Sequence, residues 1–179
     1  MEPLGDGAGA AGCHRHRRGT AGAGGGAGGA GAAPVVATYD YCDADGTLVY
    51  QACRHEPGRD GRTKDFSQRV PDGTSDWRWS MAGVTRVLYR LPEVLAAVAA
   101  GAPIYIVEGE KDADQLTLYG LTATTNVGGA GKWKRVYSAA LAGAHVVILP
   151  DNDAPGATHG DTVAASLHGV AARVTLVEL

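Results

Sequence analysis

At 179 residues the chain is long enough for one ordinary domain plus an appendage, and its formal charge of -3 leaves no overall basic excess for coating nucleic acid nonspecifically. A local basic patch beside an acidic site is compatible with that balance. Only Cys13, Cys42 and Cys53 are available as thiols, there is no apolar leader, and no apolar run is long enough to span a bilayer; disulfides are not expected and the chain reads as cytoplasmic.

Taken in chain order, residues 5–33 are almost wholly Gly and Ala, broken by Cys13-His14-Arg15-His16-Arg17-Arg18. Too few large apolar side chains are present to offset the entropy of ordering, so residues 1–34 are expected to be a disordered arm. Cys13, His14 and His16 lack the second, separated ligand pair that a structural zinc site needs.

Ordered sequence begins near Pro34, and residues 35–101 read as a β-rich module. Runs over 37–41 and 47–53 alternate around Asp43-Ala44-Asp45-Gly46, which predicts a hairpin. Residues 64–70 and 77–80 are further strand candidates, and Trp77 and Trp79 alternate around Arg78 as packing residues would. Residues 92–101 have Pro92 early and Gly101 at the end, which is helix punctuation.

Residues 102–179 change rhythm. Short apolar runs at 104–107, 121–125, 145–149 and 173–179 alternate with helical patterns at 111–119, 135–141 and 158–167. Continuous apolar strands between helices imply a four-stranded parallel sheet, an α/β fold of Rossmann-like type.

In such a sheet, ligands gather at the carboxyl ends of the strands. Glu108 follows the first strand of this unit, and Asp151 and Asp153 follow the third. Side chains at i and i+2 of an extended segment face the same way, so both Asp carboxylates can address one site. If the two strands are neighbours, three acids converge and repel unless a cation lies between them. All-oxygen ligands suit magnesium or manganese. Asp112 is one helical turn beyond Glu108 and can share that face. Glu110 and Asp114 read as solvated helix acids, and His159 as structural.

Asn126-Val127-Gly128-Gly129-Ala130-Gly131-Lys132 is either a plain turn or a cradle for phosphate, with Gly129 and Gly131 offering amides and Lys132 a point charge. It is not a Walker loop, because Asn126 holds the first glycine position and Trp133 stands where Ser or Thr would bind magnesium. Trp133 is placed either to stack on a base or to pack on the next helix. Arg54, Lys64, Arg69, Arg78, Arg86 and Arg90 are candidates for a nucleotide or template patch, Arg54 and Lys64 first among them.

Val107-Glu108-Gly109-Glu110-Lys111-Asp112-Ala113 resembles the Glu-Gly motif of Toprim domains, and Pro150-Asp151-Asn152-Asp153 with Gly156 resembles their Asp-x-Asp-x-x-Gly motif. The upstream segments Tyr39-Asp40-Tyr41, Arg54-His55-Glu56-Pro57, Lys64-Asp65-Phe66 and Val87-Leu88-Tyr89-Arg90-Leu91-Pro92 resemble phage- and plasmid-type primases. The resemblance implies a Toprim fold over 102–179, with Glu108, Asp151 and Asp153 catalytic and binding magnesium or manganese. Asp112 matches a further acid of the motif. The implied activity is primase-type synthesis of RNA primers from nucleoside triphosphates on single-stranded DNA, with a replicative helicase as a possible partner. In that family a zinc ribbon usually precedes this region and a helicase-like domain often follows. The glycine-rich arm and the missing motor sequence therefore imply a fragment of a larger primase or primase-helicase. The alternatives are a Toprim nuclease and a noncatalytic nucleic-acid-binding remnant.

Overall fold

The computed structural model describes residues 17–18, 33–74 and 76–177. The rest of the expected arm lies outside the described residues; within it, Arg17–Arg18 forms a two-residue strand, β1.

Alternation decides the first half. Strands β2 (Val35–Cys42), β3 (Leu48–His55) and β4 (Asp65–Pro71) are antiparallel neighbours, with Tyr41 opposite Tyr50 and Gln51 opposite Arg69. The β2–β3 hairpin turns at the expected place. Asp43 Oδ1 accepts the Asp45 and Thr47 N–H groups, and Gly46 takes a φ of 80°, which costs glycine little. β1 pairs with β2 at one edge of this sheet, and β5 (Trp77–Arg78) pairs with β4 at the other. β5 is shorter than the strand expected over 77–80. The chain turns at Ser80, whose carbonyl accepts an Arg78 N–H and whose hydroxyl accepts the Ala82 N–H.

The second half alternates α and β. In order it runs α1 (Leu91–Ala100), β6 (Pro103–Ile106), α2 (Glu110–Leu118), β7 (Thr122–Thr124), α3 (Arg135–Ala140), β8 (His145–Ile148), α4 (Ala154–Leu167) and β9 (Arg173–Leu176). The strands form one parallel sheet in the order β7-β6-β8-β9. This matches the expected four-stranded parallel α/β unit. α4 starts ahead of the helical pattern at 158, because Asp153 caps it: Asp153 Oδ1 accepts the Gly156 N–H at 2.7 Å. Pro155 fits the first turn, where a missing N–H costs nothing.

Two apolar clusters hold these layers. One lies within the α/β unit: Ile104, Ile106, Val146 and Ile148 from the strands meet Val94, Val163 and Leu167 from the helices and Leu141 just after α3. Each fully buried aliphatic side chain contributes about 1.5–3 kcal/mol. The second cluster is shared. Tyr39, Tyr41 and Tyr50 of the antiparallel sheet pack with Tyr89 and with Val107, Ala113, Ala123 and Val127 of the α/β unit. Tyr41 stacks on Tyr50 at 4.6 Å between ring centroids, and Tyr39 meets Tyr89 edge-on at 6.1 Å. The two sheets are therefore fixed against each other by tyrosine.

Cys53 is a buried free thiol. Among the described residues, no helix is long and apolar enough to cross a membrane.

Candidate functional site

The parallel register places the acids. Ile106 at the end of β6 lies opposite Ile148 at the end of β8, so both chain segments leave the sheet side by side. The Leu149 N–H extends this contact to the Ile106 carbonyl, and the Asp151 N–H then reaches Glu108 Oε1 at 3.3 Å. The strands are thus neighbours, as convergence of Glu108 with the Asp pair requires.

Glu108 holds its proton more firmly than an ordinary glutamate. Partial burial is the main cause, repulsion from Asp151 adds to it, and the Asp151 N–H opposes both; Asp153 and Asp112 contribute smaller repulsions. Two glycines make this crowding possible. A Cβ on Gly156 would clash with the Asp151 carbonyl and come within 2.6 Å of Glu108 Oε1, and one on Gly109 would lie 3.2 Å from Asp112 Oδ2. Asp151, Asp153 and Asp112 are exposed. Asp151 and Asp153 line a hollow of about 520 Å³ together with Leu176 and Val177.

The same hollow is lined by Asp161 of α4, an acid that sequence reasoning missed. Its signal was its position two turns after Asp153 on one helix, visible only once α4 is known to start at the cap.

The donor chemistry fits a hard divalent cation, since every group is a carboxylate and their mutual repulsion favours one. As placed, however, the acids are adjacent rather than closed: among the described residues, no three His, Cys, Asp or Glu side chains are gathered closely enough to hold a metal ion. The cluster is an open acid patch.

The glycine-rich loop after β7 lies against this patch. The Thr125 hydroxyl donates to the Glu108 carbonyl at 3.0 Å, and a Cβ on Gly129 would stand 3.6 Å from the same oxygen. Gly128, Gly129 and Gly131 all have positive φ. Asn126 Nδ2 donates to the Gly129 carbonyl, and the Gly131 N–H donates to His159 Nδ1 at 3.2 Å. His159 is buried, its proton affinity is lowered by desolvation, and it anchors the loop to α4. Lys132 is exposed, with its stem over Gly128. Trp133 packs: its Nε1 donates to Ser138 Oγ at 2.9 Å and its ring lies edge-on to Tyr137 and His159. Of its two expected roles, the structure shows the packing one.

Glu110 and Asp114 overturn the expectation of solvated helix acids. Glu110 is buried and accepts the Tyr41 hydroxyl at 2.8 Å; Asp114 accepts the Tyr89 hydroxyl at 2.9 Å and lies by Arg90. Each supplies a carboxylate that a tyrosine of the shared core requires.

The cationic candidates disperse. Arg54 on β3 pairs with Glu56, Arg90 with Glu93 and Asp114, and Arg69 lies over the Trp77 ring at 4.1 Å. Lys64 is exposed ahead of β4, and Arg78 hydrogen-bonds to Ser80. Arg54 and Lys64 belong to the antiparallel module, whereas the acids lie on the parallel sheet.

No family model matches the chain, and no curated protein matches it in sequence. Among solved structures it is similar to the crystal structure of the Aquifex aeolicus primase, zinc-binding and RNA polymerase domains, with a TM-score of 0.59. The fold is primase-like. Identity is 21%, and the match covers 80% of this chain but 34% of that one. The chain thus spans about a third of the length of the primase it matches, and the likeness is one of fold.

Proposed function

We propose that this chain carries a Toprim-type acid centre for metal-dependent nucleotidyl transfer on DNA, of the kind that makes RNA primers. The observation that carries the reading is the adjacency of β6 and β8, which brings the Asp151 backbone within hydrogen-bonding reach of the Glu108 carboxylate. The primase-like fold supports it.

In this reading Glu108, Asp151 and Asp153 hold magnesium or manganese, and Asp112 is a further ligand. When bound, the cation supplies positive charge that lowers the pKa of an attacking 3′-hydroxyl and neutralises charge on the triphosphate. The chain's own residues position and exclude. Gly156 lets the start of α4 lie against Glu108, and Asp153 fixes that start through its cap. Lys132 presents a positive charge toward phosphate from the loop that abuts Glu108; the Gly129 and Gly131 N–H groups, given to the Asn126 carbonyl and to His159 Nδ1, shape that loop rather than face phosphate. The substrates are nucleoside triphosphates and a single-stranded DNA template. The parent is a larger primase or primase-helicase of phage or plasmid type, with a replicative helicase as its partner.

The test is incorporation of labelled ribonucleotides on single-stranded DNA with manganese or magnesium, using wild type and Glu108→Gln. Synthesis that disappears in the variant supports the reading. Metal-dependent cutting of DNA without synthesis would replace it with a Toprim nuclease. DNA binding with neither reaction would replace it with a noncatalytic remnant.

A further inference from the structure

Away from the acid patch, the antiparallel module contains a second hollow of about 710 Å³, lined among others by His55, Arg59, Phe66, Gln68, Trp79 and Arg86. Its chemistry is the opposite of the first. The lining includes two arginines and a histidine, with no carboxylate.

Two large rings are presented to solvent here. Trp79 is 56% exposed and Phe66 is 37% exposed. Burying them would be favourable, yet the chain leaves both out. Trp79 is steadied from one side, because the Arg69 guanidinium lies 5.7 Å from its ring centroid and 4.1 Å from that of Trp77. Arg69 is itself held by Gln51 at 2.8 Å, and Gln51 by Asp40. The platform is therefore tied into the sheet.

The floor is also built. His55 Nδ1 donates to the Ala33 carbonyl and Nε2 meets the Ser67 hydroxyl, both at 2.7 Å, which fixes the imidazole in the wall. Arg59 is held by Asp65 with its side chain more than half exposed. Arg86 is half-buried and has no ion-pair partner among the described residues.

Open rings held beside Arg86, which no carboxylate among the described residues pairs, and beside Arg59, whose exposed guanidinium is shared with Asp65, suit a ligand with flat π-faces strung on an anionic backbone. Base–aromatic stacking requires a single strand, whose bases are free to unstack, and the arginines can meet its phosphates. A negatively charged peptide would satisfy the arginines and leave the rings unused.

We propose that this hollow binds single-stranded nucleic acid, with bases stacking on Trp79 and Phe66 and phosphates meeting Arg59 and Arg86. As the place where a template is held, the site rests on the primase reading; as a binding site it is tested without metal or catalysis.

The experiment is fluorescence anisotropy of a labelled oligodeoxythymidine with the full chain in EDTA. Trp79→Ala and Arg86→Glu should each weaken binding by about tenfold or more, and Phe66→Ala should weaken it less. Unlabelled single strand should compete and duplex should not. Circular dichroism melts identify any variant that has lost its fold, and the other two then decide. Affinity that is unchanged in the folded variants, or equal competition by duplex, overturns the proposal. Synthesis with binding independent of Trp79 would sink this site and spare the acid centre. Trp79-dependent binding without synthesis would do the reverse.

Discussion

The Tyr41 hydroxyl, on β2, donates to Glu110 Oε1 at the start of α2 across 69 residues of sequence, at 2.8 Å and out of water. Glu110 directly follows the Glu108-Gly109 pair, so the antiparallel module buttresses the helix that begins at the candidate site. Tyr41→Phe should cost about 1–3 kcal/mol, because it leaves a buried carboxylate without its donor. Tyr41→Phe combined with Glu110→Gln should cost less than the sum of the two single changes. Denaturant unfolding of all four proteins measures the coupling, and additive losses would show that the bond contributes nothing.

The buried tyrosines predict an alkaline transition. Burial is the first cause that raises Tyr39, Tyr41, Tyr50, Tyr89 and Tyr137 above the ordinary tyrosine value of 10.0, with Glu110 and Asp114 adding repulsion at Tyr41 and Tyr89 respectively. A raised folded-state pKa means stability that is complete below the unfolded value and lost as pH rises beyond it. Phenolate absorbance should therefore rise in a late, cooperative step that coincides with loss of circular dichroism. Gradual ionisation of all tyrosines near pH 10 in folded protein would contradict the burial of this cluster.

Gly156 tests the seating of α4 against Glu108. A methyl group there meets the Asp151 carbonyl and Glu108 Oε1 together, so Gly156→Ala should destabilise the fold by about 1–3 kcal/mol. It should also weaken divalent-metal binding, because Glu108 must move. A thermal melt that matches wild type would show that the two segments are not in contact.

Much of this architecture could be read in the sequence because the signals are local. The turn at Asp43 and Gly46, the Gly101 stop and the apolar runs of β6 and β8 each depend on residues close in sequence. The adjacency of Glu108 and Asp151 was legible as a condition on strand order, which only the register of Ile106 with Ile148 resolves. Glu110 and Asp114 were misread because a helix acid's surroundings are set by whatever packs on it. Here that is Tyr41 and Tyr89, 69 and 25 residues away. Asp153 was read only as a ligand, and its capping role moved the start of α4 and hid Asp161.

The proposed metal centre is tested most directly by titrating manganese into the full chain and following free ion by electron paramagnetic resonance. Wild type should take up manganese that magnesium displaces, and its melting temperature should rise as carboxylate repulsion is relieved. Asp151→Asn with Asp153→Asn should abolish both effects while preserving the fold, because asparagine caps a helix as well as aspartate does. Manganese bound equally well by the double variant would contradict the assignment of the acid patch.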